Sequence, residues 1–199
     1  MFIPGIENYH ITLASDSPRR HYLLKEIGLD FEIKKKGFID ESYPQQLIRE
    51  QIPLYLAKKK AKVFDEDLDD DMIIITADTI VWLKDKVLQK PANYEDAIKI
   101  LKELSGKCHQ VYTGVCIKSK DKTQSFTART DVYFRKLTFA EIDYYINHYQ
   151  PFDKAGAYGI QEWIGYVGVE KINGSFFNVM GLPIQKLYTE LDQFINITE

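Results

Sequence analysis

The chain has little cysteine: Cys108 and Cys116 are the only two in 199 residues. Eight residues apart, they fit neither a zinc pair nor a redox pair and are too few for a disulfide framework, so both are expected as buried thiols in a reducing cytosol. No apolar run approaches the ~20 residues needed to cross a bilayer, and the start lacks a charged stretch followed by an apolar core. A cytoplasmic protein with no membrane partner is expected. Neither charge dominates, since 26 Lys and Arg face 29 Asp and Glu for a formal net charge of -3. A nucleic-acid binder would show a basic excess, so no nucleic-acid partner is expected, and any phosphate must be held by a local cluster. The absence of a Walker-type loop, of Gly-x-Gly-x-x-Gly and of a Gly-x-Ser-x-Gly elbow disfavours P-loop ATPases, dinucleotide oxidoreductases and Ser-His-Asp hydrolases. The four histidines lie far apart, with no helical metal-ligand spacing.

What is present starts at Leu13-Ala14-Ser15-Asp16-Ser17-Pro18-Arg19-Arg20. Ser17 reads as an N-cap and Pro18 as the first helical residue, which puts Arg19 and Arg20 in the first turn. Cations there oppose the helix dipole by roughly 0.3–1 kcal/mol each unless an anion meets them. Leu23, Leu24 and Ile27 continue the face of Arg20, so this arginine sits at the rim of a buried stripe. The stretch predicts an anion site.

Strand His10–Ala14, this helix and a stop at Gly28 make an α/β beginning. A second strand is expected near Phe31–Lys35, then a polar loop at 37–42 with Asp40 and Glu41, whose bland reading is a solvated turn. Pro53 restarts a helix with Leu54, Ala57, Ala61 and Phe64 as its core stripe and Lys58, Lys59, Lys60 and Lys62 on other faces. The acidic run Asp65–Asp71 lacks calcium-loop spacing and reads as a solubilising connector. Met72–Ala77 reads as a central strand ending at Asp78, either a ligand-facing carboxylate or a turn aspartate. Thr79–Leu83 and Val87–Gln89 form a hairpin that delivers Lys90. Asn93 caps a helix with Ala97, Ile98, Leu101 and Leu104 inward, closed by Gly106. Two long strands, His109–Lys118 and Thr123–Leu137, precede a helix opened by the capping box Thr138–Glu141 and running to about Tyr149. The glycine-containing loop 151–161 is too apolar for a linker and suits a ligand-site wall. A strand over Ile164–Ile172, a turn at Asn173-Gly174 and a last helix after Pro183 complete the chain. Nothing separates independent domains, so residues 1–199 are expected as a single domain.

Two arginines at a helix start, two lysines (Lys60, Lys90) and two carboxylates (Glu41, Asp78) suit metal-assisted attack of water on a phosphoanhydride. Leu13-Ala14-Ser15 with Ser17-Pro18-Arg19-Arg20, Ala77-Asp78-Thr79-Ile80-Val81, Lys90-Pro91, Leu104-Ser105-Gly106 with His109, Thr113-Gly114-Val115, the run Asp153–Gln161, and Gly174-Ser175 with Gly181-Leu182-Pro183 together resemble the Maf family of nucleoside triphosphate pyrophosphatases. The match runs in order over nearly the whole chain. The resemblance implies a Maf/ITPase-like α/β fold, a mixed β-sheet with flanking helices forming two lobes around a deep cleft. It implies hydrolysis of a nucleoside triphosphate to the monophosphate and pyrophosphate with Mg2+ or Mn2+, and a homodimer. By matching motif, Ser15, Arg19 and Arg20 would lie at the triphosphate, Lys60 and Lys90 would neutralise it, and Glu41 and Asp78 would hold the metal and manage the attacking water. Asp78 would be the base, its pKa depressed by the surrounding cations. Asp16 departs from the family pattern, either tuning metal binding or facing away.

Arg20, Thr79 and Gln161 match the branch that resembles dTTP and UTP pyrophosphatases, whereas the 7-methyl-GTP branch carries tryptophan or glutamate at such points. A neutral amide offers a donor and an acceptor to the O4 and N3–H edge of uracil or thymine. The alternatives are a nucleotide-binding regulator of septum formation, which would not need Asp78, and an ITPase-like enzyme for damaged purines.

Overall fold

Strand β3, Met72–Leu83, is buried at every position but Thr79. Its apolar run is long enough to be covered on both faces, and the rest of the sheet is laid around it. The structure, a computed structural model, describes residues 2–37 and 39–196. Phe38, in the expected polar loop, lies outside the described residues. Among the described residues seven strands pair in the order β2 (Glu32–Ile33), β1 (His10–Leu13), β3, β5 (Cys108–Lys118), β6 (Thr123–Phe134) and β7 (Val169–Asn173), with β4 (Lys86–Leu88) on β3. Strand β1, His10–Leu13, is parallel to β2, Glu32–Ile33, and to β3, where His10 faces Met72 and Leu13 faces Ile75. Strand β4, Lys86–Leu88, returns antiparallel on β3, as the hairpin reading required. Strand β5 spans Cys108–Lys118 and β6 spans Thr123–Phe134, with β7, Val169–Asn173, antiparallel to β6. The fold is a mixed α/β one. The chain divides into two units, the first taking in residues up to Asp78, Thr113–Ala128 and the chain from Gly181, the second Thr79–Tyr112 and Arg129–Met180.

In the first unit, helix α1 is Pro18–Glu26, with proline in its first turn and Gly28 left-handed just beyond its end at φ 71°. Helix α2 is Gln51–Lys62. It begins two residues before Pro53, which a first turn tolerates because the N–H that proline lacks would have no helical partner there. Its buried stripe is Ile52, Pro53, Leu56, Ala57 and Ala61, continued by Phe64. Leu54, expected inward, is only half-buried, because the helix is rotated to lay Ala57 and Ala61 against Cys116. Those alanines let the helix lie close to the sheet. The acidic run is a charged surface, with Asp67 on Lys36 and Asp70 on Lys120, both at 2.6 Å. The last helix, α7, spans Ile184–Asn196 and buries Ile184, Leu187, Leu191 and Phe194. Cys116 is buried, its thiol pushed up to about 11 by desolvation, and both cysteines are free.

In the second unit, Asn93 accepts the Asp96 N–H at 2.9 Å to cap α3, Tyr94–Leu104. Leu101 and Leu104 are fully buried, each contributing about 1.5–3 kcal/mol by burial, whereas Ile98 is only half-buried. Helix α4, Phe139–Tyr149, has the expected capping box in full. The Glu141 carboxylate accepts the Thr138 N–H at 2.7 Å and also pairs with Arg135 at 2.7 Å, which hold it down to about 2. A depressed folded-state pKa gives stability that is present above the ordinary value of 4.5 and lost as pH falls towards about 2. The urea midpoint of the wild type is therefore expected to fall more steeply from pH 5 to 2 than that of Glu141→Gln. Equal slopes would show that the box adds nothing to the pH dependence.

The expected strand over Ile164–Ile172 is instead helix α5, Trp163–Gly168, followed by β7. The aromatic and β-branched composition favours a strand, but tertiary approach overrides it. A Cβ on Gly165 would come within 1.8 Å of the Ile160 carbonyl oxygen, so glycine there lets the turn of helix sit on the preceding loop. A further short helix, α6, covers Phe176–Met180.

Candidate active site

The central strand does not end at Asp78, as its sequence suggested, but runs through it to Leu83. The carboxylate therefore stands inside the sheet, 8% exposed, and needs a partner supplied from outside the strand. That partner is Lys60. Alternation places Thr76 and Asp78 on one face of β3, the face that α2 covers. The Thr76 hydroxyl donates to the Ala57 carbonyl at 2.7 Å, fixing helix against strand. Lys60, three residues on in α2, then meets Asp78, two residues on in β3, with Nζ 2.6 Å from Oδ1.

The same ammonium bonds Glu41 Oε1 at 2.7 Å. Two carboxylates far apart in sequence thus converge on one nitrogen. Asp40, next to Glu41, turns instead to Lys59 at 3.0 Å and caps the Ser42 N–H at 2.9 Å. Asp40 thus caps its own loop, while Glu41, exposed as well, reaches the ammonium that holds Asp78.

The expectation for Asp78 ionisation is corrected. Lys60 and Arg20 do pull its pKa down, but desolvation is the largest influence and the net direction is upward. A carboxylate packed inside a sheet loses more hydration than one ammonium and a neighbouring guanidinium restore.

Arg20 is held by the chain. Its Nε donates to the Gly181 carbonyl at 2.8 Å, and Nη1 donates to the Ala77 carbonyl at 2.9 Å and to Ser15 Oγ at 3.2 Å. It ties the start of α1 to the residue before Asp78. Burial lowers its pKa, with Asp78 opposing. Ser17 occupies the N-cap position but makes no side-chain cap bond; its own N–H goes to Ser15 Oγ at 3.2 Å. His21 bonds the Ser15 carbonyl at 2.6 Å, so Ser15 is fixed on both sides. Arg19 is half-buried beside it in a first turn without acidic residues. Asp16 faces Lys35 at 2.6 Å on the open surface, which accounts for the negative charge beside the anion site.

The family resemblance implies a divalent cation, and the donor set fits one. Glu41 and Asp78 supply hard oxygens near one point, and magnesium is commonly held by one or two carboxylates with waters and substrate phosphates completing its shell. Among the described residues no group of three or more His, Cys, Asp or Glu is placed to cage a metal unaided.

Of the remaining expected residues, Thr79 follows Asp78 in β3 and so points to the opposite face, and Lys90 is exposed just beyond β4. Gln161 closes the loop 151–161, whose residues 156–160 are buried. Its Oε1 is buried without a hydrogen-bond partner among the described residues. A buried amide oxygen with nothing to accept from is costly unless a ligand supplies the donor. Sequence reasoning missed the polar side chains around this loop: Lys154, 8% exposed, pairs with Asp153 at 2.7 Å and Glu162 at 3.2 Å, and Tyr145 of α4 bonds Glu162. A lysine between an aspartate and an alanine-glycine run was the available signal.

The family model described as Maf-like protein matches residues 10–194. A dTTP/UTP pyrophosphatase of Parabacteroides distasonis is 54% identical over 192 residues, 96% of this chain and 100% of that one. The protein of the same name from Bacteroides fragilis is 53% identical over 191 residues, covering 96% and 99%. A solved HAM1 protein from Coxiella burnetii has a TM-score of 0.51 at 11% identity, over 93% of this chain and 99% of that one, a likeness of fold alone. With the family model spanning almost the whole chain and relatives at over half identity, the chain belongs to the Maf-like protein family.

Proposed function

We propose that the protein is a nucleoside triphosphate pyrophosphatase acting on dTTP and UTP. The observation that carries the reading is the Lys60 ammonium joining Glu41 to a carboxylate buried inside the sheet, Asp78, beside an arginine-bearing helix start. The names of the relatives support the activity and the substrate class. Water attacks the α-phosphorus, the bond between that phosphorus and the bridging oxygen breaks, and monophosphate and pyrophosphate leave. Asp78 accepts the proton of the attacking water, and the burial that raises its pKa makes it a better acceptor. Glu41 and Asp78 hold the divalent cation; when bound it neutralises phosphate charge and acidifies water. Lys60 balances the two carboxylates, and its ammonium would also neutralise the triphosphate where a bound cation met the carboxylate charge. Arg19, Arg20 and Lys90 neutralise the triphosphate and Ser15 hydrogen-bonds it, Arg20 also fixing the backbone around the base. Gln161 faces the pyrimidine, its unpartnered oxygen accepting from the N3–H, while Thr79, on the face of β3 opposite Asp78, enters substrate choice through the family resemblance. A cytoplasmic setting belongs to the same reading, supported by the two free thiols, and so does a homodimer, implied by the resemblance.

A panel of dTTP, UTP, dCTP, ITP and XTP with pyrophosphate measured tests this reading; faster turnover of ITP or XTP than of dTTP would overturn it. Gln161→Glu places a carboxylate where the amide meets uracil or thymine. It is expected to lower kcat/KM for dTTP and UTP roughly 10- to 100-fold relative to dCTP. An unchanged ranking would remove Gln161 from substrate choice.

A further inference from the structure

We infer that the Tyr145 hydroxyl is a positioning group for substrate choice, because it clamps both ends of the turn that carries Gln161. Resting on the reading of Gln161 as the base-facing residue, the inference adds what holds that residue in place. Residues 159–162 form a turn closed by the Glu162 N–H on the Gly159 carbonyl at 3.0 Å, with Gln161 the third of its four residues. Tyr145, fully buried in α4, accepts the Gly159 N–H at 2.9 Å and donates to Glu162 Oε2. One hydroxyl thus uses its donor on one end of the turn and an acceptor lone pair on the other. Burial and Glu162 push the hydroxyl above its ordinary pKa, so it stays protonated and able to donate.

The glycine is part of the same device. A Cβ at Gly159 would lie 2.6 Å from the Glu162 carboxyl carbon, so only glycine leaves room for the carboxylate to fold back over the turn. The other carboxylate oxygen is taken by Lys154 at 3.2 Å. With both oxygens of Glu162 fixed, the residue next to Gln161 is anchored, and the turn is what places Gln161, whose buried oxygen has no partner among the described residues.

Tyr145→Phe removes the hydroxyl and keeps the ring. The ratio of kcat/KM for dTTP over dCTP is expected to fall about tenfold, the equivalent of one hydrogen bond to the base, through dTTP alone. A merely structural hydroxyl would lower both substrates together or neither, and either result overturns the inference. Should Tyr145→Phe fail to fold, Glu162→Gln, which keeps an oxygen for the hydroxyl, should retain the ratio while Glu162→Ala loses it; equal ratios in the two would overturn the inference. Gln161→Glu measured alongside separates the two levels. If it changes the ratio and the Tyr145 and Glu162 variants do not, only the positioning role falls. If it leaves the ratio unchanged, the reading of Gln161 falls and the inference with it.

Discussion

Asp78→Asn is expected to cut pyrophosphate release from dTTP about a thousandfold while the variant still folds and binds the nucleotide. The amide has the shape of the carboxylate but cannot take the proton of water, and loss of a general base costs about 10²–10⁴ in rate. It also removes one of the two negative charges offered to the cation, so more cation should be needed for half-maximal rate. The fold should survive because the amide oxygen can still accept from Lys60, which keeps Glu41 as its charged partner. Burying an amide is moreover easier than burying a carboxylate whose ionisation the site already resists. Equilibrium nucleotide binding and pyrophosphate release measured on the same preparations distinguish the readings. Wild-type turnover in the variant would remove Asp78 as the base. Binding without release in both proteins would remove the enzyme and leave a nucleotide-binding regulator.

Much of this architecture is legible in the residues because it is set locally. The start of α1, the β3–β4 hairpin, the Asn93 cap and the Thr138–Glu141 box are each determined by side chains within a few positions of one another. The features that escape are set from a distance. An apolar run cannot reveal that β3 continues through a charged residue, because what permits it is an ammonium from α2. Local composition at 164–172 favours a strand, and the helix there depends on how closely Gly165 approaches Ile160. Residue chemistry groups Lys60, Glu41 and Asp78 but cannot place them at one point, since 41, 60 and 78 share no periodicity. The net rise of the Asp78 pKa escapes for the same reason. Counting nearby cations gives the wrong sign when the depth of burial is unknown.

That dependence on helix placement makes Gly114→Ala a strongly disruptive small change outside the site. Alanine suits a strand better than glycine by local preference, which alone would make the substitution neutral or mildly stabilising. In β5, however, the added Cβ would lie 2.4 Å from Leu54 N and Pro53 C and 2.5 Å from Leu54 Cα, all backbone atoms of α2. Backbone cannot rotate aside, so the helix must move by about 1 Å or the strand must buckle, an overpacking cost of about 1–3 kcal/mol. The same movement strains the buried Thr76–Ala57 hydrogen bond, worth about another 1 kcal/mol. For a chain of 199 residues, a loss of about 3 kcal/mol lowers the melting temperature by roughly 6–12 °C. Because α2 also carries Lys60, kcat should fall in the fraction that remains folded, with Lys60 no longer in register with Asp78. Gly37→Ala is the control, since its Cβ meets nothing within 4 Å, and it should melt within about 1 °C of wild type. If Gly114→Ala melts like Gly37→Ala, α2 is not pressed against β5. The registration of Lys60 with Asp78 must then come from the Thr76 bond alone.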